Sequence, residues 1–214
     1  MIRSEEIDLR EGLVYDPAVK LFDSSFWKGD TANSVFDTAN NVIRIGDSGL
    51  VGSISSYSQY LYGDFEYTIQ LDSLSPDSND SEKIWGLWNL GDSDRRGSVY
   101  FSASFDTSVD TATTRQLWVE VRDEAGTRQR KRITFDTLWS STLVRYRIRW
   151  EAAGYTFLIN DTVYATLADR PDTSRVTFQI NTAIPQALRL SNRTADDTAL
   201  RLRLLTIRHA RKVI

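Results

Sequence analysis

The sequence contains no cysteine and only one histidine. Without thiols there is no disulfide framework, no thiolate metal site and no cysteine nucleophile; a domain of this size needs no covalent staples, so the compartment stays open from that side. His209 lies near the C-terminus, and a histidine zinc centre or a Ser-His-Asp triad would have to be built there. Long apolar runs are also missing. No stretch approaches the length that spans a bilayer, and Glu5, Glu6, Asp8 and Glu11 stand where a secretory signal would be apolar. The expectation is a protein made in the cytoplasm, with no signal peptide and no membrane insertion. A net charge of −3 gives no general pull toward nucleic acid.

What is present is a β pattern. In Leu143 to Leu167, Val144, Tyr146, Ile148 and Trp150 alternate with Arg145, Arg147 and Arg149, the period of two shown by a half-buried strand. Glu151 to Gly154 breaks the run, Tyr155, Phe157 and Ile159 resume it, and Asn160-Asp161 turns the chain into Val163 to Thr166. Three antiparallel strands are expected here. Phe65, Tyr67, Ile69 and Leu71 alternate in the same way, as do Val99, Phe101, Ala103 and Phe105 against Ser98, Tyr100, Ser102 and Ser104. Ile84 to Leu90 is nearly continuous in apolar residues, which predicts a central strand covered on both faces, and Ser73 to Lys83 before it reads as a polar loop. Gln116 to Arg122 and Thr127 to Phe135 flank a turn at Asp123 to Gly126 and form a hairpin.

With 214 residues, 41% of them hydrophobic, and no linker, the chain is expected to be one domain over 21–214 preceded by an arm over 1–20. The simple reading of the arm is a first strand and a loop; the sharper one is a segment that docks on a neighbouring subunit. Regularly spaced short strands with turns between them predict an all-β, two-sheet antiparallel β-sandwich.

Several pieces, in order along the chain, resemble the concanavalin A-like lectin/glucanase jelly roll, which includes laminarinase-type hydrolases and laminin-G-like binding domains. They are Phe26-Trp27, Ser53 to Tyr60 leading to Tyr62-Gly-Asp-Phe-Glu66, Trp85-Gly-Leu-Trp88, Arg147 to Trp150, Tyr155 to Asn160 and Leu200 to Ile207. The resemblance covers roughly residues 21–210 and implies two curved sheets, with ligands bound across the concave one. The hydrolases carry Glu-x-Asp-x-x-Glu on the strand after the Trp-rich one, where alternation aims carboxylates into one cleft. Here that strand offers Ser98, Tyr100, Ser102 and Ser104, and hydroxyls neither attack an anomeric carbon as a carboxylate does nor supply a tuned proton. No enzyme is therefore expected; Glu120, followed by Arg122, reads as a solvated surface acid.

The expected function is a non-catalytic glycan-binding or surface-adhesion module, with Trp118, Tyr100, Gln116 and Trp88 stacking on and bonding to a glycan or cell-surface polysaccharide. The second expectation is a structural or decoration subunit of a larger assembly such as a phage or virus particle, its N-terminal arm contacting neighbouring subunits. A glycoside hydrolase with an unrecognised carboxylate pair is the third. Ca2+ is the only metal considered, through the acidic loops at 72–82 and 92–94, which lack EF-hand spacing. The basic run Arg128 to Arg132 reads as protection of an edge strand rather than as a nucleic-acid reader, and the sequons at Asn79, Asn160 and Asn192 read as turn chemistry.

Overall fold

The computed structural model describes residues 6–9, 13–15, 25–29, 33–46, 51–71, 82–89, 96–106, 114–134, 142–161, 176–178, 185–193 and 200–213. Among them there is no helix. In chain order the strands are β1 (Glu6–Leu9), β2 (Leu13–Tyr15), β3 (Trp27–Gly29), β4 (Ser34–Asp37), β5 (Val42–Ile45), β6 (Gly52–Leu61), β7 (Gly63–Leu71), β8 (Glu82–Trp88) and β9 (Ser98–Asp106). They continue with β10 (Thr114–Arg122), β11 (Arg128–Thr134), β12 (Val144–Glu151), β13 (Gly154–Ile159), β14 (Val176–Phe178), β15 (Gln186–Asn192), β16 (Leu200–Arg208) and β17 (Ala210–Val213).

The strands form two antiparallel sheets. One runs β1-β17-β6-β15-β8-β9-β10-β11, with β3 also on β6; the other runs β14-β13-β12-β7-β16-β5-β4, with β2 also on β16. Alternation along each strand sends one set of side chains between the sheets. There Trp85 stacks on Phe101 with ring centroids 5.8 Å apart, and both meet Tyr146 edge-on at 4.7 and 5.2 Å. Phe65, Tyr67, Ile69, Leu87, Ile148, Trp150, Phe157 and Ile159 are buried with them, as the alternation predicts. Each such side chain stabilises the fold by about 2–3 kcal/mol through the area it removes from water. Hydrogen bonds also cross this apolar layer: the Tyr67 hydroxyl donates to the carbonyl of Gly86 at 2.8 Å, tying β7 to β8, and the Gln186 amide donates to the Tyr155 hydroxyl at 3.3 Å, tying β15 to β13.

The turns expected at 123–126, 151–154 and 160–161 occur where expected. Asn160 and Asp161 both take positive φ (54° and 51°), the conformation Asn and Asp tolerate best after glycine. The expected strand Val163 to Thr166 and the expected loops at 73–81 and 92–94 lie outside the described residues. Lys83 departs from its expected place. It belongs to β8 rather than to the preceding loop, and its side chain is fully buried because it shares the inward parity of Trp85 and Leu87. The polar chain ends are built into the sheets: β1 pairs with β17, β2 pairs with β16, and β17 lies between β1 and β6. Gly63 (φ 123°) makes room for this, since a Cβ there would lie 2.6 Å from the Cβ of Ala210.

Candidate functional site

The face of the nine-stranded sheet turned away from the core is set by register. Opposite Tyr100 on β9 stand Gly86 on β8 and Glu120 on β10; opposite Ser102 stand Ile84 and Trp118; opposite Ser98 stands Arg122. β11 adds Arg132 opposite Trp118, Arg130 opposite Glu120 and Arg128 opposite Arg122, while β15 adds Arg189 opposite Gly86 and Ala187 opposite Trp88. The four residues expected to bind ligand therefore lie on one face of three consecutive strands. Trp88, Tyr100 and Ile84 form a small apolar cluster there, with the Trp88 and Tyr100 rings 5.4 Å apart. Gly86 is what lets Tyr100 lie down: a Cβ at Gly86 would come within 2.6 Å of the Tyr100 Cα.

These side chains are largely committed to one another. Trp118 donates its indole N–H to the Gln116 side-chain Oε1 at 3.0 Å, and the Arg130 guanidinium lies over the Trp118 ring at 3.6 Å. Arg189 lies over Trp88 at 5.1 Å and donates to the Ser53 hydroxyl at 3.1 Å. Tyr100 is 1% exposed, Gln116 3% and Trp88 8%, so only Trp118 of the four keeps a half-buried position.

Glu120 is not the solvated acid that its sequence neighbour Arg122 suggested; it is 3% exposed. Its Oε1 accepts from the Tyr100 hydroxyl and from Arg122 Nε at 2.7 Å, its Oε2 accepts from Arg128 Nη2 at 2.6 Å, and Arg130 Nε lies 3.7 Å from Oε2. The sequence concealed this because two of the partners sit on β11, eight and ten residues further on. Burial would raise the Glu120 carboxyl, but the hydrogen bonds from Tyr100, Arg122 and Arg128 outweigh it and hold the group below the ordinary glutamate range. Burial, with the charge of Arg128 beside it, lowers Arg130 despite the attraction of Glu120.

Another carboxylate on this face is Glu82, which accepts from the Ser102 hydroxyl at 2.9 Å and faces Arg193 at 3.5 Å; Asp106 shares the parity of Ser102 and Ser104 on β9, two residues beyond the Ser104 that stands opposite Glu82. Glu82 lies opposite Ser104 and Glu120 opposite Tyr100, two strands and four residues apart, so their backbones are about 17 Å from each other. Beyond Ser53 and Ser191 the face runs into a cavity of about 440 Å³ lined by Val51, Gly52, Ser53, Ser191, Asn192 and Arg193. Among the described residues no group of three or more His, Cys, Asp or Glu is placed to hold a metal ion, and the acidic loops considered for Ca2+ fall outside them except for Glu82. His209 occupies the exposed turn between β16 and β17, and Asn192 of the third sequon is buried in β15.

No family model matches the sequence, and no curated protein matches it. Solved structures do. A Bacillus licheniformis β-glucanase superposes with a TM-score of 0.62 at 10% identity, over 92% of this chain and 97% of its own. The fold is a concanavalin A-like jelly roll. Among other jelly rolls of this kind, a glycoside hydrolase family 16 endo-glucanase from Bacteroides ovatus gives a TM-score of 0.62 at 12% identity over 91% and 99% of the two chains. The exoplasmic/lumenal domain of VIP36, in a form bound to Ca2+ and Man2, gives 0.59 at 11% over 92% and 87%. Hydrolases and a lectin thus share this jelly roll, and the side chains on the open face must distinguish their roles.

Proposed function

We propose that the protein is a non-catalytic glycan-binding module whose ligand lies over the outer face of the nine-stranded sheet. The observation that carries this reading is the state of Glu120, the buried carboxylate in the middle of that face. A glycosidase needs a pair about 5–10 Å apart with the nucleophile or base open to the sugar. Glu82 and Glu120 are separated by about 17 Å along the sheet, and Glu120 is enclosed by Tyr100, Arg122 and Arg128. Around Glu120 the accessible groups are ones a sugar chain can use: the half-buried Trp118 indole, the Ser53 hydroxyl, and the arginines over Trp88 and Trp118.

Several structural neighbours are hydrolases and one is a lectin with bound Ca2+ and mannose, so both activity and calcium are tested together with binding. The experiment is a glycan array read with and without added Ca2+, followed by assay of reducing-end release from any polysaccharide that is bound. Retention without release is expected. Release that is abolished by Glu82→Gln or Glu120→Gln would replace this reading with a hydrolase. The assembly alternative is separated by mass: a particle subunit associates as concentration rises, whereas a free binder stays monomeric.

A further inference from the structure

On the outer face of the nine-stranded sheet, the strands β10, β11 and β15 carry an excess of positive charge, and there all of it is arginine. Arg128, Arg130 and Arg132 alternate along β11 and project on the same side as Arg122 of β10 and Arg189 of β15. Against the first four stands the single carboxylate of Glu120, whose side chain is 4% exposed while those of Arg128 and Arg130 are 43% and 34% exposed. One buried negative charge shared among neighbouring guanidinium groups leaves a net positive rim open to solvent. Glu82, another acid of the face, is two strands from Glu120 and is engaged by Ser102 and Arg193.

The indoles add a second indication. Arg130 covers Trp118 and Arg189 covers Trp88, so the ring faces that would stack on a neutral sugar carry cations instead. Contact with the Trp118 ring at 3.6 Å also restrains the Arg130 guanidinium, which lowers the ordering cost of a two-point contact. From Arg189 on β15 to Arg130 on β11 the path crosses four strand spacings, about 19 Å, enough for several sugar rings.

We infer that the ligand of this face is an acidic polysaccharide bearing carboxylates, which are received by Arg130, Arg132 and Arg189 in the bidentate manner that a guanidinium offers a carboxylate. The inference rests on the glycan-binding reading and names its ligand class. The repulsion between Arg130 and Arg128 agrees with it, because a carboxylate at that point would offset it. Chain-edge protection accounts for basic residues on β11 but not for Arg189, which lies on an interior strand and stacks on an indole.

The test is affinity electrophoresis of the full chain through gels containing polygalacturonate, dextran sulfate, neutral β-glucan or single-stranded DNA. Retardation by polygalacturonate is expected, weakening steeply as salt rises from about 0.05 to about 0.5 M. Arg132→Gln should weaken it about tenfold with an unchanged melting temperature, and Arg132→Lys should restore only part of the loss. Retardation by the neutral glucan with none by polygalacturonate would overturn the acidic assignment and leave the glycan reading standing. Retardation by dextran sulfate or DNA in preference to polygalacturonate would also overturn it, as would binding indifferent to Arg132→Gln. Failure to bind any glycan, with the protein folded, would remove the underlying reading as well.

Discussion

Glu120 shows how much a single side chain depends on strands far from it in sequence. Its folded-state pKa lies below its unfolded value, so its contribution to stability is full above about pH 4.3 and is lost as pH falls through the folded value. Glu120→Gln should cost about 1–3 kcal/mol at neutral pH in denaturant unfolding, and the gap to the wild type should narrow as pH drops below about 4. A gap independent of pH would mean that shape, not charge, sets the cost. Beneath the same face, Tyr67→Phe removes only the hydroxyl that reaches the Gly86 carbonyl. Since the ring remains, the expected loss is about 1–2 kcal/mol, read as a shift in denaturant midpoint at constant slope.

At the scale of elements, the described part of 1–20 pairs into both sheets through β1 and β2. Its polarity gave no sign of what Tyr15 does: that ring is fully buried on β2, stacked at 5.0 Å on Phe26 and edge-on at 5.6 Å to Trp27. Tyr15→Ala should cost about 3 kcal/mol or more in thermal unfolding. Removal of residues 1–20 should be worse, because β1 and β2 leave β17 and β16 unpaired along one side. A truncated chain that unfolds like the intact one would show these pairings to be dispensable.

Strands with strict alternation, such as β7, β12 and β9, were legible residue by residue because the pleat has a period of two and one face is apolar. What alternation does not carry is register between strands. The faces of β9 and β10 could be read, and so could the set Trp118, Gln116, Tyr100 and Trp88. That Arg130 would settle on Trp118, and Arg128 on Glu120, required knowing that Trp118 is opposite Arg132 and Glu120 is opposite Arg130. Arg128, Arg130 and Arg132 did show the period of two, but a basic edge strand and a basic binding face are the same string of letters.

For the whole molecule, the sheet order predicts slow folding. β16 pairs with β7 of the middle and β5 near the start, and β15 sits between β6 and β8, so most contacts join residues far apart in the chain. Refolding on the millisecond-to-second scale or slower is expected in stopped-flow fluorescence, and microsecond folding would contradict the topology. The same order fixes where the molecule can be mounted. Leu9 faces Ala210 and Glu6 faces Val213, so whatever chain precedes β1 or follows β17 leaves from one margin of the nine-stranded sheet. The arginines of β11 line the opposite margin, seven strand spacings or about 34 Å away. Tethered by either end, to a bead, a label or a neighbouring domain, the protein holds its charged border outward and unobstructed.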